Sequence, residues 1–147
     1  MSASLTRDHI VASARGWIGT PYRHQASLRG VGCDCLGLVR GVWRELIGPE
    51  PETPGPYGAD WAEASGLERL AEAGARHFTP LSAFDFAAGD VLLFRWREGL
   101  PAKHAAIATS PTSMVHAHDG ACVCEVQIGS QWLQRIAFAF RFPGLAD

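Results

Sequence analysis

The sequence predicts an α+β domain in which N-terminal helices pack on one face of an antiparallel sheet built from the C-terminal half. Two observations carry this. Apolar residues recur at helical spacing through the first half, and from residue 76 the texture changes to short apolar runs separated by turn residues. The length of 147 residues fits a single domain, 1–147, and 47% hydrophobic content suffices for a core; no internal repeat is visible.

The elements follow in order. Residues 6 to 18 start at Thr6, a good N-cap, and place Ile10, Val11, Ala14, Trp17 and Ile18 at helical spacing; Gly19, Thr20 and Pro21 end the helix. A Gly-rich loop from about 22 to 32 leads into DCLGLVRGVWRELIG. There Leu38, Val39, Val42 and Leu46 on one side and Leu36, Trp43 and Ile47 on another leave only a narrow polar stripe, so this helix is wrapped by protein. GPEPETPGPYG, 48 to 58, holds four prolines and reads as a surface loop. Residues 60 to 75 read as an amphipathic helix with Asp60 as N-cap and Trp61, Ala64, Leu67, Leu70 and Ala71 toward the core. The strands are FTPL, VLLFRW, HAAIATS, SMVHAH, CVCEVQI and IAFAFRF.

Charge excludes one class of partner. The 13 Lys and Arg are scattered and the net charge is -2, so no basic footprint for nucleic acid exists. The opening stretch MSASLTRDHIVASARGWIG carries Arg7, Asp8 and Arg15 and no continuous apolar run, which predicts synthesis in the cytoplasm without a signal peptide and no membrane insertion. Reduced thiols are then the expectation for the four cysteines, 33, 35, 122 and 124.

Cys35 falls in the first turn of the wrapped helix, directly after Asp34 as a cap. Unpaired amides and the positive end of the helix dipole favour a thiolate there and lower its pKa, and the same amides can hold an oxyanion. The alternative is a small buried apolar residue. Gly37 and Gly41, spaced i,i+4, equally serve close packing without touching a substrate.

His104 opens a strand of small residues, Ala105, Ala106 and Ala108, from which it can reach the helix terminus; alternatively it is a half-exposed edge histidine. The turn-like TSPTS makes a hairpin of the next two runs. With the turn centred on Ser110 or Pro111, opposed residues sum to 220 or 222, so His104 and His116 share a face. A cysteine nucleophile needs this arrangement: a base, and a polar group that fixes the tautomer of that base. His118 has the right parity, but beside Asp119-Gly120 it reads as an exposed turn residue.

The cysteines admit a rival reading, two C-x-C pairs around a structural zinc, although one-residue spacing is a poor zinc knuckle. A two-residue turn at Asp119-Gly120 pairs 118 with 121 and 115 with 124, which puts Cys122 and Cys124 on the face opposite His116 as core residues. Cys33 is either a thiol oxidisable against Cys35 or a loop residue.

The stretch GTPYRHQASLRGVGCDCLGLVRGVW resembles the signature of the NlpC/P60 cysteine peptidases, whose core reads Tyr, a short loop, then Asp-Cys-Ser-Gly-Leu-Val. His104 before a strand of small residues and His116 in a Val-His-Ala setting resemble the family's later motifs. The variant CDCLGLVRGVW looks closest to the cell-wall peptidases of phage and gene transfer agent tail modules. The resemblance spans the chain except for a Pro-rich and helical insertion at about 48–80. It implies a papain-like fold, a Cys35, His104 and His116 triad, no metal and no cofactor, and hydrolysis of peptidoglycan stem peptides. It also implies tail proteins as partners, with carriage to the cell wall in a phage-like particle. Tyr22 and Asp34 match family positions beside the nucleophile that serve the oxyanion or the substrate. Leu36 stands where Ser is usual, and Ala-Ala-Ile-Ala follows His104 where Val-Gly-Ile-Tyr is usual. Two alternatives remain: a related thiol amidase or acyltransferase using the same residues, and a non-catalytic tail-assembly component with a structural zinc site.

Overall fold

The computed structural model describes residues 4–52, 68–118 and 120–146. Helix α1 (Arg7–Arg15) is followed by a small hairpin, β1 (Ser27–Leu28) and β2 (Gly32–Cys33), then α2 (Cys35–Leu46) and α3 (Arg69–His77). Strands β3 (Thr79–Leu81), β4 (Val91–Phe94), β5 (His104–Ser110), β6 (Ser113–His116) and β7 (Cys124–Gln127) lead through a one-turn helix, α4 (Ser130–Leu133), to β8 (Ile136–Arg141). Six strands form one antiparallel sheet in the order β3-β8-β4-β5-β6-β7.

Strands β4, β5, β6 and β8 present alternate residues to two apolar layers. Val91, Leu93, Ala105, Ile107, Val115 and Phe140 meet the helices through Ile10, Ala14, Trp17, Leu38 and Val42. Leu92, Phe94, Ala106, Ala108, Met114 and Ile136 form the opposite layer. Leu38 and Val42 are fully buried, each contributing on the order of 2 kcal/mol relative to exposure. Helix α2 lies against β5, and α1 lies against α2. That contact is close because Gly41 leaves space filled by the Trp17 indole.

Helix α1 begins as expected: the Thr6 hydroxyl accepts from the His9 amide at 3.2 Å, and His9 Nδ1 accepts from the Thr6 amide at 3.2 Å. It stops at Arg15, before Trp17 and Ile18, and Gly19 takes a left-handed φ of 93°. The expected helix 60 to 75 lies partly outside the described residues; its described part runs on to His77, and Leu70 and Ala71 are buried as expected. Asp60, Trp61, Ala64 and Leu67 lie outside them, as does most of the Pro-rich segment. The β1–β2 hairpin and α4 carry no periodic signal, being two to four residues long.

One register expectation is corrected. The β5–β6 hairpin pairs Ile107 with Val115 and Ala108 with Met114, the sum of 222 that the turn implied. Between β6 and β7, however, His116 opposes Cys124, one residue away from the expected pairing. A tight turn does form, with the Ala121 amide donating to the His118 carbonyl at 3.1 Å. Residues 121 to 123 then leave β6 and bond the 19–22 segment: Gly19 to Val123, Val123 to Thr20, and Tyr22 to Ala121. This lateral pairing consumes a residue before β7 starts, so Cys124 shares the face of His116.

Candidate active site

Asp34 builds the start of α2. In extended conformation, it accepts the Gly37 amide at 2.7 Å through Oδ1 and the Gln25 amide at 2.7 Å through Oδ2. Gln25 sits at a left-handed φ of 67°, held by that bond. Gly37 has no room for a side chain, since the Ala26 carbonyl occupies the place of its Cβ. Close packing is what Gly37 and Gly41 both provide here. The buried carboxylate of Asp34 thus ties the 24–26 loop to the helix end on which Cys35 stands.

Cys35 is the first residue of α2 and is half-buried. Its thiol donates to the Lys103 carbonyl at 3.9 Å, and the Ala105 amide also approaches the sulfur. The sulfur therefore lies against the backbone on both sides of His104. The expected lowering of its pKa is not what this environment produces. Burial, and then the Asp34 carboxylate, push the thiol up to about 12, against the opposing pull of the amides of Ala105, Leu36 and Cys35 itself. Desolvation outweighs the helix terminus at this sulfur.

His104 and His116 meet. His104 Nε2 lies 3.0 Å from His116 Nδ1, with the rings edge-on at 79°, and both residues are buried. Burial first, then His116 and His118, lower the His104 pKa well below the usual histidine range. Burial and His118 lower His116 to about 4. Both rings are neutral at neutral pH. If His104 donates Nε2–H to His116, its lone pair is at Nδ1, the nitrogen nearer its own backbone.

Three aromatic residues went unrecognised in the sequence. Trp96 and Trp132 stack on His104 at centroid distances of 5.4 and 5.5 Å, and Phe94 meets Trp132 edge-on at 5.1 Å. Parity could have found Trp96, two residues beyond Phe94, which pairs with His104. Nothing local marks Trp132. His118, expected at an exposed turn, is half-buried, with its ring 5.7 Å from His104 and 5.8 Å from His116.

The remaining candidates separate. The Tyr22 backbone runs beside Cys33, and its amide donates to Ala121, so Tyr22 bridges the β1–β2 hairpin and the turn after β6. Cys33 is fully buried, and burial pushes its thiol up to about 12. Cys122 is exposed and Cys124 half-buried, which corrects the expectation that both are core residues. All four are free thiols, and among the described residues no group of three or more His, Cys, Asp or Glu is arranged to hold a metal ion.

No known family model and no curated protein sequence matches this chain. Solved structures do. The NlpC/P60 domain of the peptidoglycan hydrolase SagA matches with a TM-score of 0.67 at 26% identity, over 94% of this chain and 100% of that domain. An NlpC/P60 protein from Bacillus cereus matches with a TM-score of 0.69 at 17% identity, over 95% of this chain but 41% of that one. The peptidoglycan hydrolase RipB from Mycobacterium tuberculosis matches with a TM-score of 0.62 at 16% identity, over 92% of this chain and 63% of that one. A wrapped helix that opens on a cysteine, laid against an antiparallel sheet whose facing strand opens on a histidine, is in this chain the papain-like α+β fold of the NlpC/P60 domains.

Proposed function

We propose that this chain is a cysteine peptidase that hydrolyses amide bonds in the stem peptides of peptidoglycan. The observation that carries the reading is the sulfur of Cys35 lying against the backbone of His104 while His104 Nε2 is bonded to His116 Nδ1 at 3.0 Å. The fold shared with peptidoglycan hydrolase domains supplies the substrate class.

In this mechanism His104 Nδ1 takes the Cys35 proton as the sulfur attacks the carbonyl carbon of the scissile amide. The carbonyl oxygen becomes an oxyanion, stabilised by backbone amides at the start of α2, the Cys35 amide among them. Collapse breaks the C–N bond, and the imidazolium passes its proton to the leaving amine. His104 then deprotonates water, which attacks the thioester, releasing the acid and restoring the thiol. Proton transfer accompanies attack, and His116 stabilises the transient imidazolium through its Nδ1. Asp34 holds the helix start, and Tyr22 borders the same hairpin.

Within this reading, the chain works as part of a phage-like tail. The CDCLGLVRGVW variant supports that assignment, with tail proteins as partners and the cell wall as the site of action. Among the described residues no helix is long and apolar enough to cross a membrane. The test is incubation with purified peptidoglycan and mass spectrometry of the released fragments. New amino termini within stem peptides are expected from the wild type and none from Cys35→Ala. Equal release by both, or none by the wild type on several peptidoglycan types, would refute the reading.

A further inference from the structure

Strand β5 alone does not hold the His104 ring. Trp96 stacks on it at 25° and Trp132 at 28°, with centroids 5.4 and 5.5 Å away. The two indole centroids are only 5.9 Å apart, so both stand on one side of the imidazole and form a wall. Trp132 also meets His116 edge-on, at 5.4 Å and 85°. Phe94 flanks both rings, 5.1 Å from Trp132 and 5.8 Å from His104.

The backbone is arranged to present these rings. Of residues 129 to 134, all but Trp132 are exposed, so the one-turn helix α4 turns a single side chain inward. Arg135 ties the two indole-bearing segments together: its Nε donates to the Trp96 carbonyl at 3.2 Å, its carbonyl accepts the Arg95 amide at 2.9 Å, and its amide donates to the Trp132 carbonyl at 2.9 Å. A tryptophan that only sealed the apolar layer opposite the helices would need neither the near-parallel stacking on an imidazole nor this tie.

We propose that Trp132, with Trp96, is a positioning residue for His104: the indole wall fixes the plane of the imidazole and keeps water from the His104–His116 hydrogen bond. This rests on the peptidase reading above. The titratable rings facing His104 are His116 and His118, from β6 and the turn after it, while Cys35 at the start of α2 and Lys103 immediately before β5 lie at its backbone. Arg95, Arg97 and Arg135 belong to the two segments of the wall. Burial is the first cause of the low basicity of His104, so admitting water past the wall raises it.

The test uses the full chain and two readouts: the titration of each histidine by NMR, with His104 identified by its loss in His104→Gln, and kcat and KM on a stem peptide. Trp132→Leu is expected to raise the His104 midpoint by about one pH unit or more and to lower kcat about tenfold with KM within about twofold, while Trp132→Phe stays near wild type. An unmoved His104 midpoint in Trp132→Leu overturns the proposal, as does a loss that falls on KM alone. Should Trp132→Leu fail to fold, Trp96→Leu probes the same wall, and an unmoved midpoint there is equally decisive. If the wild type cleaves no stem peptide, the peptidase reading fails, whereas the NMR titration still decides whether the wall acts on His104.

Discussion

Mild acid should destabilise this protein through the paired histidines. Burial and His118 hold His116 at about 4, and burial, His116 and His118 hold His104 well below 6.5. In the unfolded chain both return to about 6.5. Between those values the unfolded state binds protons that the folded state refuses, so the stability present above about pH 6.5 is lost as pH falls toward the folded values. For His116 alone this amounts to about 2 kcal/mol by pH 5 and about 3 kcal/mol by pH 4, and His104 adds in the same direction. Carboxylates with lowered pKa, such as Glu50 and Glu125, also lose stability in acid, but from about pH 4.5 downward, so the window from 6.5 to 5 isolates the histidines. The assay is urea unfolding at fixed temperature between pH 7.5 and 5.0. The midpoint should fall steadily below pH 6.5, and His116→Gln should flatten part of that slope. Equal midpoints at pH 7.5 and 5.0, or an undiminished slope in His116→Gln, would refute the argument.

The same protonation sets activity: with His104 needed neutral, kcat/KM should stay flat as pH falls through 6.5, and an acid limb at or above 6.5 would contradict the buried pair. His104→Ala should cost about 100-fold or more in kcat, whereas His116→Gln or His116→Asn keeps partial activity; equal losses would contradict the assigned roles. Iodoacetamide should reach buried Cys33 last of the four thiols, and His104→Ala should slow labelling of Cys35 while leaving exposed Cys122 unchanged. Unchanged labelling of Cys35 in that variant would separate the sulfur from the imidazole. Gly37→Ala drives a methyl into the Ala26 carbonyl and should cost about 1–3 kcal/mol in thermal unfolding, with the loop before Cys35 displaced; wild-type stability would show that the loop yields freely.

By itself the sequence determined what depends on periodicity and local caps. Thr6 and Asp34 cap their helices, the apolar pattern defines α2 as wrapped, and the 222 sum across TSPTS brings His104 and His116 onto one face. These are short-range constraints, set within one helix or one hairpin. Tertiary structure decided the rest. The lateral pairing of 121–123 with 19–22 moved β7 by one residue, exposed Cys122 and turned Cys124 toward the face of His116, and no local pattern encodes a competition between two distant partners. It also decided the ionisation of the site, because the pKa of Cys35 reflects how much protein surrounds the sulfur as well as its place at a helix terminus. His118 and Trp132 joined the His104 cluster for the same reason: a ring cluster is assembled by a sheet face and a returning loop, which bring together residues from 94 to 132 that sequence spacing leaves unrelated.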